Sequence, residues 1–168
     1  MNATLENLFH EYRMNDATDY FCAGYPERAN DNARVFVSII PADEMGAYLT
    51  LGKKSSSHGG DAVIRYQPTT SQKVDMQNRF GAFAVCTVAE LKAKTAELKE
   101  SARNGEIVSA TTGKQVKAGA LGNGHALEWF ICQRWGIEWE FDNASHTICG
   151  DITKDGVEYQ VKYINASL

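Results

Sequence analysis

The stretch "DITKDGVEYQVKY", residues 151–163, constrains the fold more than any other part of this chain. An Asp-Gly pair between two runs of alternating character suits a two-residue type I′ hairpin turn, whose central residues both need positive φ. That turn sets a register in which Lys154 faces Val157, Thr153 faces Glu158, Ile152 faces Tyr159 and Asp151 faces Gln160. Side chains alternate along a strand, so Val157, Tyr159, Val161 and Tyr163 form an apolar row and Glu158, Gln160 and Lys162 a polar one. Asp151 then neighbours Gln160 and lies diagonal to Lys162, which gathers a carboxylate, an amide oxygen and an ammonium on one expected face. A plain surface hairpin shows the same residue types.

The rest of the chain supplies both helices and strands. "TLENLFHEYR" repeats Leu5, Leu8, Phe9 and Tyr12 at helical spacing. "ARVFVSII" is a β-branched strand stopped by Pro41, and "AYLTLG", "AVIRY" and "FGAFAVC" read as further strands around a polar loop at residues 52–61 that carries Lys53, Lys54 and His58. "TVAELKAKTAELKESARNG" is the clearest helix, with a capping box from Thr87 to Glu90 and a stop at Asn104-Gly105. A second helix follows from Asn123, read as its N-cap, to Gly136, with Leu127, Phe130, Ile131 and Trp135 as the buried stripe. "IEWEF" and "HTICGDIT" read as strands leading into the hairpin. The fold class expected is α+β or α/β, a small mixed sheet flanked by helices. Residues 1–86 form a strand-rich region of unassigned role and residues 87–168 a helix-plus-hairpin unit, or the two make one continuous domain.

Charge narrows the partners. The formal charge of −4 gives no general attraction to nucleic acid or to an anionic membrane. Between Lys92 and Lys117, however, six Lys and Arg stand against three Glu. A solvated helix face explains that excess, and the sharper reading is a phosphate-tracking face built from Lys92, Lys99, Arg103, Lys114 and Lys117. No apolar run of about 18 residues occurs, and the segment Met1 to Arg13 lacks a signal-peptide pattern. The expectation is a cytoplasmic chain without membrane contact. Cys22, Cys86, Cys132 and Cys149 are widely spaced among apolar neighbours, which predicts reduced, buried, structural thiols rather than a zinc site.

The order of residues in the C-terminal third, a helix bearing Glu128, then Asp151 at a strand end, then Gln160-Val161-Lys162, resembles the PD-(D/E)xK nuclease superfamily, which includes restriction endonucleases and Holliday-junction resolvases. The resemblance covers about residues 119–164. The family's helix acid falls on Glu128, its strand-end Asp on Asp151 and its (D/E)xK pair on Gln160 and Lys162. Gly150 stands where the motif has Pro, and Gln160 removes one negative charge from the site. The resemblance implies a restriction-endonuclease-like core and a Mg²⁺- or Mn²⁺-dependent phosphodiesterase acting on DNA. Asp151, the Gln160 oxygen, the Val161 carbonyl and Glu128 would hold the metal, and Lys162 would orient the attacking water. Glu158 is a substitute ligand on the same face, and His125 reaches substrate or caps its helix. A homodimer is expected, since one small core touches few phosphates.

A second function class is a non-enzymatic inhibitor that binds nucleic acid or a nucleic-acid-processing protein complex and retains a nuclease-like fold. Its small size and acidic charge suit a phage or mobile-element protein directed against host defence, an anti-CRISPR protein for example. The plainest alternative is a globular protein with a merely polar hairpin.

Overall fold

The computed structural model describes residues 18–53, 62–65, 68–141 and 151–164. In chain order the elements are β1 (Tyr20–Pro26), β2 (Arg34–Pro41), a 3₁₀ helix (Ala42–Tyr48), β3 (Thr50–Lys53), β4 (Ala62–Arg65), α1 (Thr70–Phe80), β5 (Phe83–Thr87), α2 (Val88–Arg103), a short 3₁₀ turn (Ala118–Ala120), α3 (Asn123–Trp135), β6 (Ile152–Lys154) and β7 (Val157–Tyr163). Five strands make one mixed sheet in the order β5-β2-β1-β7-β6, and β3 with β4 forms a separate antiparallel pair. Every pairing in the main sheet is antiparallel except that of β1 with β7. The protein is therefore of mixed α+β class, a small sheet flanked by helices. Both halves of the chain contribute strands to this one sheet.

β1 holds the sheet together. Its sequence, YFCAGYP, contains no charge, and Phe21, Cys22, Ala23 and Tyr25 have no exposed surface. A central strand buried on both faces needs such an uncharged run. Cys22 joins Val35, Val37, Cys86, Leu91, Leu127, Ile131, Cys132, Ile152 and Val161 in a core beneath α2 and α3. Phe21, Ala23 and Tyr25 join Ile40, Met45, Tyr48, Met76 and Ile164 in a second core beneath the 3₁₀ helix and α1. Tyr25 keeps its hydroxyl satisfied at 3.1 Å from the Ser38 hydroxyl, which donates in turn to the Gly81 carbonyl at 2.7 Å. Gly24 is glycine for a packing reason. A Cβ there would overlap the Leu127 side chain of α3, so the strand reaches the helix only without one.

Local signals place the helices. At α2 the Thr87 hydroxyl accepts the Glu90 N–H at 3.1 Å while the Glu90 carboxylate accepts the Thr87 N–H at 2.9 Å, and Gly105 takes φ +72° beyond the end. α1, which the sequence reading passed over, carries the same device: Thr69 and Gln72 cap each other at 2.8 and 3.2 Å. α3 ends where expected, with Gly136 at φ +69°. Its start differs by one residue. Gly122 is the cap and donates its N–H to His125 Nδ1 at 3.2 Å, while the Asn123 side chain accepts instead from the Thr95 hydroxyl of α2 at 2.8 Å. Asn123 thus ties two helices rather than capping one, and His125 has the capping role.

Three further expectations change. "IEWEF" is not a strand: residues 137–140 belong to no helix or strand. The alternation is real, since Ile137, Trp139 and Phe141 pack on the core and Glu138 and Glu140 are exposed, but no ladder forms along it. The segment leaves α3 through an Ile137 N–H bond to the Cys132 carbonyl and is fixed at its far end by Ala110 N–H on the Phe141 carbonyl. In "AYLTLG", Ala47 and Tyr48 complete the 3₁₀ helix and only Thr50 onward is strand. "HTICGDIT" is strand only from Ile152, and its first part lies outside the described residues, as do the N-terminal helix, His58, Lys54 and Cys149. Cys22, Cys86 and Cys132 are buried free thiols.

Gly24→Ala should destabilise the protein by about 1–3 kcal/mol, because the new methyl meets a Leu127 that is itself enclosed. Leu127→Ala in the same chain should cost less in that background than in wild type. Urea unfolding of the four-member cycle checks both statements.

Candidate functional site

The hairpin forms as its sequence dictates. Asp155 and Gly156 take φ values of 53° and 78°, and Lys154, Thr153 and Ile152 stand opposite Val157, Glu158 and Tyr159. The expected apolar row faces α3, with Val161 buried and Tyr159 and Tyr163 packed against the same core. Tyr159 also lies 4.9 Å from the Trp135 ring of α3, centroid to centroid.

The polar row faces the other way. In a parallel pair, residues in register share a face, and β7 pairs Gln160 with Phe21 and Lys162 with Ala23. Gln160 and Lys162 are therefore directed toward the second core, on the side of the sheet remote from α3. Gln160 is buried, and its side-chain amide donates to the Thr18 hydroxyl at 2.7 Å. Burial pushes the Lys162 ammonium below its usual lysine value.

Asp151 does not sit opposite Gln160. Its N–H bonds to the Tyr159 carbonyl at 2.6 Å, although Tyr159 is already the partner of Ile152. Two residues of one strand thus stand against one of the other, as in a β-bulge, and the register slips at the position that was to carry the central acid. The Asp151 carboxylate accepts the Val161 N–H at 2.7 Å. Burial pushes its carboxyl above the ordinary aspartate value of 3.8, against the smaller downward pull of that hydrogen bond.

Burial is the first cause that raises the Cys22 thiol, with Asp151 second and Cys132 third. Cys132 is pushed up to about 12 by burial and then by Glu128. Asp151 and Glu128 therefore each act on a cysteine of the core under α3, while Gln160 and Lys162 occupy the opposite face. The main sheet stands between Glu128, carried on α3, and the face of Gln160 and Lys162, while the Asp151 carboxylate lies at the edge of β7 against the Val161 N–H. Glu158 is engaged locally, accepting the Thr153 hydroxyl on both carboxylate oxygens at 3.0 and 3.1 Å. Among the described residues no group of three or more His, Cys, Asp and Glu side chains is placed to hold a metal ion.

The basic residues are largely committed within the chain. Lys92 pairs with Asp31 at 2.8 Å and Arg103 with Glu100 at 3.0 Å. Lys99 donates to the Ala118 and Leu121 carbonyls at 3.0 and 2.6 Å, so it anchors the turn before α3. Lys114 and Lys117 are exposed. Sequence reading missed Thr18, the partner that holds Gln160, because the contact spans most of the chain.

Fold and site together define a mixed α+β domain with a split polar hairpin. No family model matches the chain, and no curated protein or solved structure matches it either.

Asp151 offers a direct pH test. A carboxyl raised in the folded state contributes stability in full below its unfolded value, and that contribution is lost as pH rises through the folded value. Asp151→Asn stays neutral and keeps an acceptor for the Val161 N–H. It should match wild type at acid pH and become the more stable form toward neutrality, as read from urea midpoints between about pH 4 and about pH 7.

Proposed function

We propose that this chain acts by binding another protein, as a non-catalytic module of the kind that blocks a nucleic-acid-processing complex. One observation carries the reading: the main sheet stands between the helix of Glu128 and the face of Gln160 and Lys162. Phosphodiester hydrolysis needs metal ligands and a charge-stabilising cation converging on one phosphate. A protein partner is favoured over nucleic acid by the net charge of −4 and by the internal pairing of Lys92, Lys99 and Arg103.

One observation favours the alternative, a Mg²⁺- or Mn²⁺-dependent DNA nuclease. The Asp151 carboxylate meets the Val161 N–H, and a strand residue presents its N–H and C=O toward the same side. Two of the four ligands implied by the PD-(D/E)xK resemblance, Asp151 and the Val161 carbonyl, thus share one edge of β7. Both readings meet in the same assays. The binding reading predicts no DNA cleavage that depends on Asp151, and negligible calorimetric heat with Mn²⁺ for wild type and Gln160→Glu alike. Cleavage abolished by EDTA and by Asp151→Ala, together with tighter Mn²⁺ binding in Gln160→Glu, would establish the nuclease instead.

A further inference from the structure

The parallel strands β1 and β7 end at Pro26 and Tyr163, and α2 and α3 begin at Val88 and Asn123. These four residues and the loop after β1 line one cavity of about 250 Å³. Its polar groups are unevenly spent. The acceptors are taken within the chain. The carbonyls of Arg28, Asn30 and Asp31 accept the N–H groups of Asn30, Ala33 and Ala89 at 3.1, 3.1 and 2.9 Å. The Asp31 carboxylate holds Lys92 at 2.8 Å. Asn30 gives its side-chain oxygen to the Asn32 N–H at 3.1 Å, and Asn123 gives its own to the Thr95 hydroxyl at 2.8 Å. The donors are not exhausted. Arg28 has five N–H groups and meets Glu27 through Nη1 at 3.3 Å, and Lys92 has three with one spent on Asp31. Each asparagine, its oxygen engaged, keeps an NH₂ group to donate elsewhere. Two cations, Arg28 and Lys92, against one carboxylate, Asp31, leave the lining at one net positive charge in a chain of net charge −4.

We infer that this cavity binds a small organic phosphate, a phosphate monoester carried on a single flat ring. A lining whose acceptors are spent and whose donors remain recognises a ligand made of acceptors, and its charge selects an anion. The donors of Arg28, Lys92, Asn30 and Asn123 match the three terminal oxygens of a phosphate better than the two of a carboxylate. Val88, Leu91 and Tyr163 supply the apolar wall for the ring. The volume lies below the ~300–1,000 Å³ of sites for drug-sized ligands, so one ring and its phosphate fill it. A nucleic-acid strand would bring further phosphates against a chain of net charge −4. This site goes beyond the protein-binding reading and does not depend on it.

Calorimetric titration of the full chain with phenyl phosphate, inorganic phosphate, benzoate and benzylamine tests the site. Phenyl phosphate should bind about fivefold more tightly than inorganic phosphate, which lacks the ring, and than benzoate, which offers fewer oxygens. Benzylamine, a cation of similar size, should give no heat. Arg28→Gln should weaken phenyl phosphate about fivefold, and Lys92→Gln should repeat the loss at a second exposed cation. Asp31→Asn should tighten it about twofold, because the change frees Lys92 and raises the charge of the lining. All three positions are exposed, so urea midpoints should stay close to that of wild type. The site is overturned if phenyl phosphate gives no heat, or if inorganic phosphate, benzoate or benzylamine binds as tightly. It is overturned equally if folded Arg28→Gln and Lys92→Gln proteins keep the wild-type affinity for phenyl phosphate.

Discussion

The parallel pairing of β1 with β7 is the constraint on which the other features depend. It joins a strand near the start of the described chain to one near its end, and it makes partners in register share a face. Cys22 with Val161 goes under α3, while Phe21 with Gln160 and Ala23 with Lys162 goes the other way. Reversing that assignment would place an amide and an ammonium against Leu127 and Ile131, where no solvent reaches. Burying unpaired polar groups there would cost far more than the present arrangement, in which Gln160 has Thr18.

What was legible in the sequence was local. The Asp155-Gly156 turn and its register, the Thr87 capping box, the Gly136 stop and the buried cysteines all follow from residues close together in the chain. What was not legible depends on distant partners. β1 was missed because YFCAGYP, with its Gly and Pro, carries weak strand signals of its own. It is a strand because β2 and β7 pair with it and α3 closes on Gly24. α1 was missed although its Thr69–Gln72 box was readable. The "IEWEF" alternation correctly told which side chains turn to the core and wrongly implied a ladder, since period-two alternation requires an extended chain but no neighbour.

The candidate site shows the same division. The residue types were read correctly, and the face of Gln160 and Lys162 relative to Val161 was read correctly too. The position of Asp151 was not, because one slipped residue turns its carboxylate to the Val161 N–H. A one-residue shift in a strand moves a side chain to the other side, so a site that needs four residues on one face is sensitive to a single bulge. Two buried polar atoms among the described residues lack a hydrogen-bond partner, the Trp139 indole Nε1 in the segment after α3 and the Lys73 Nζ of α1.

The central claim is that the sheet divides Glu128 from Gln160 and Lys162. The most direct measurement is the set of nuclear Overhauser contacts made by the Gln160 side-chain amide protons. Contacts to Thr18 and Phe21, with none to the side chains of α3, are the result this account predicts. Contacts to Glu128 would contradict it and bring the four residues back to one face.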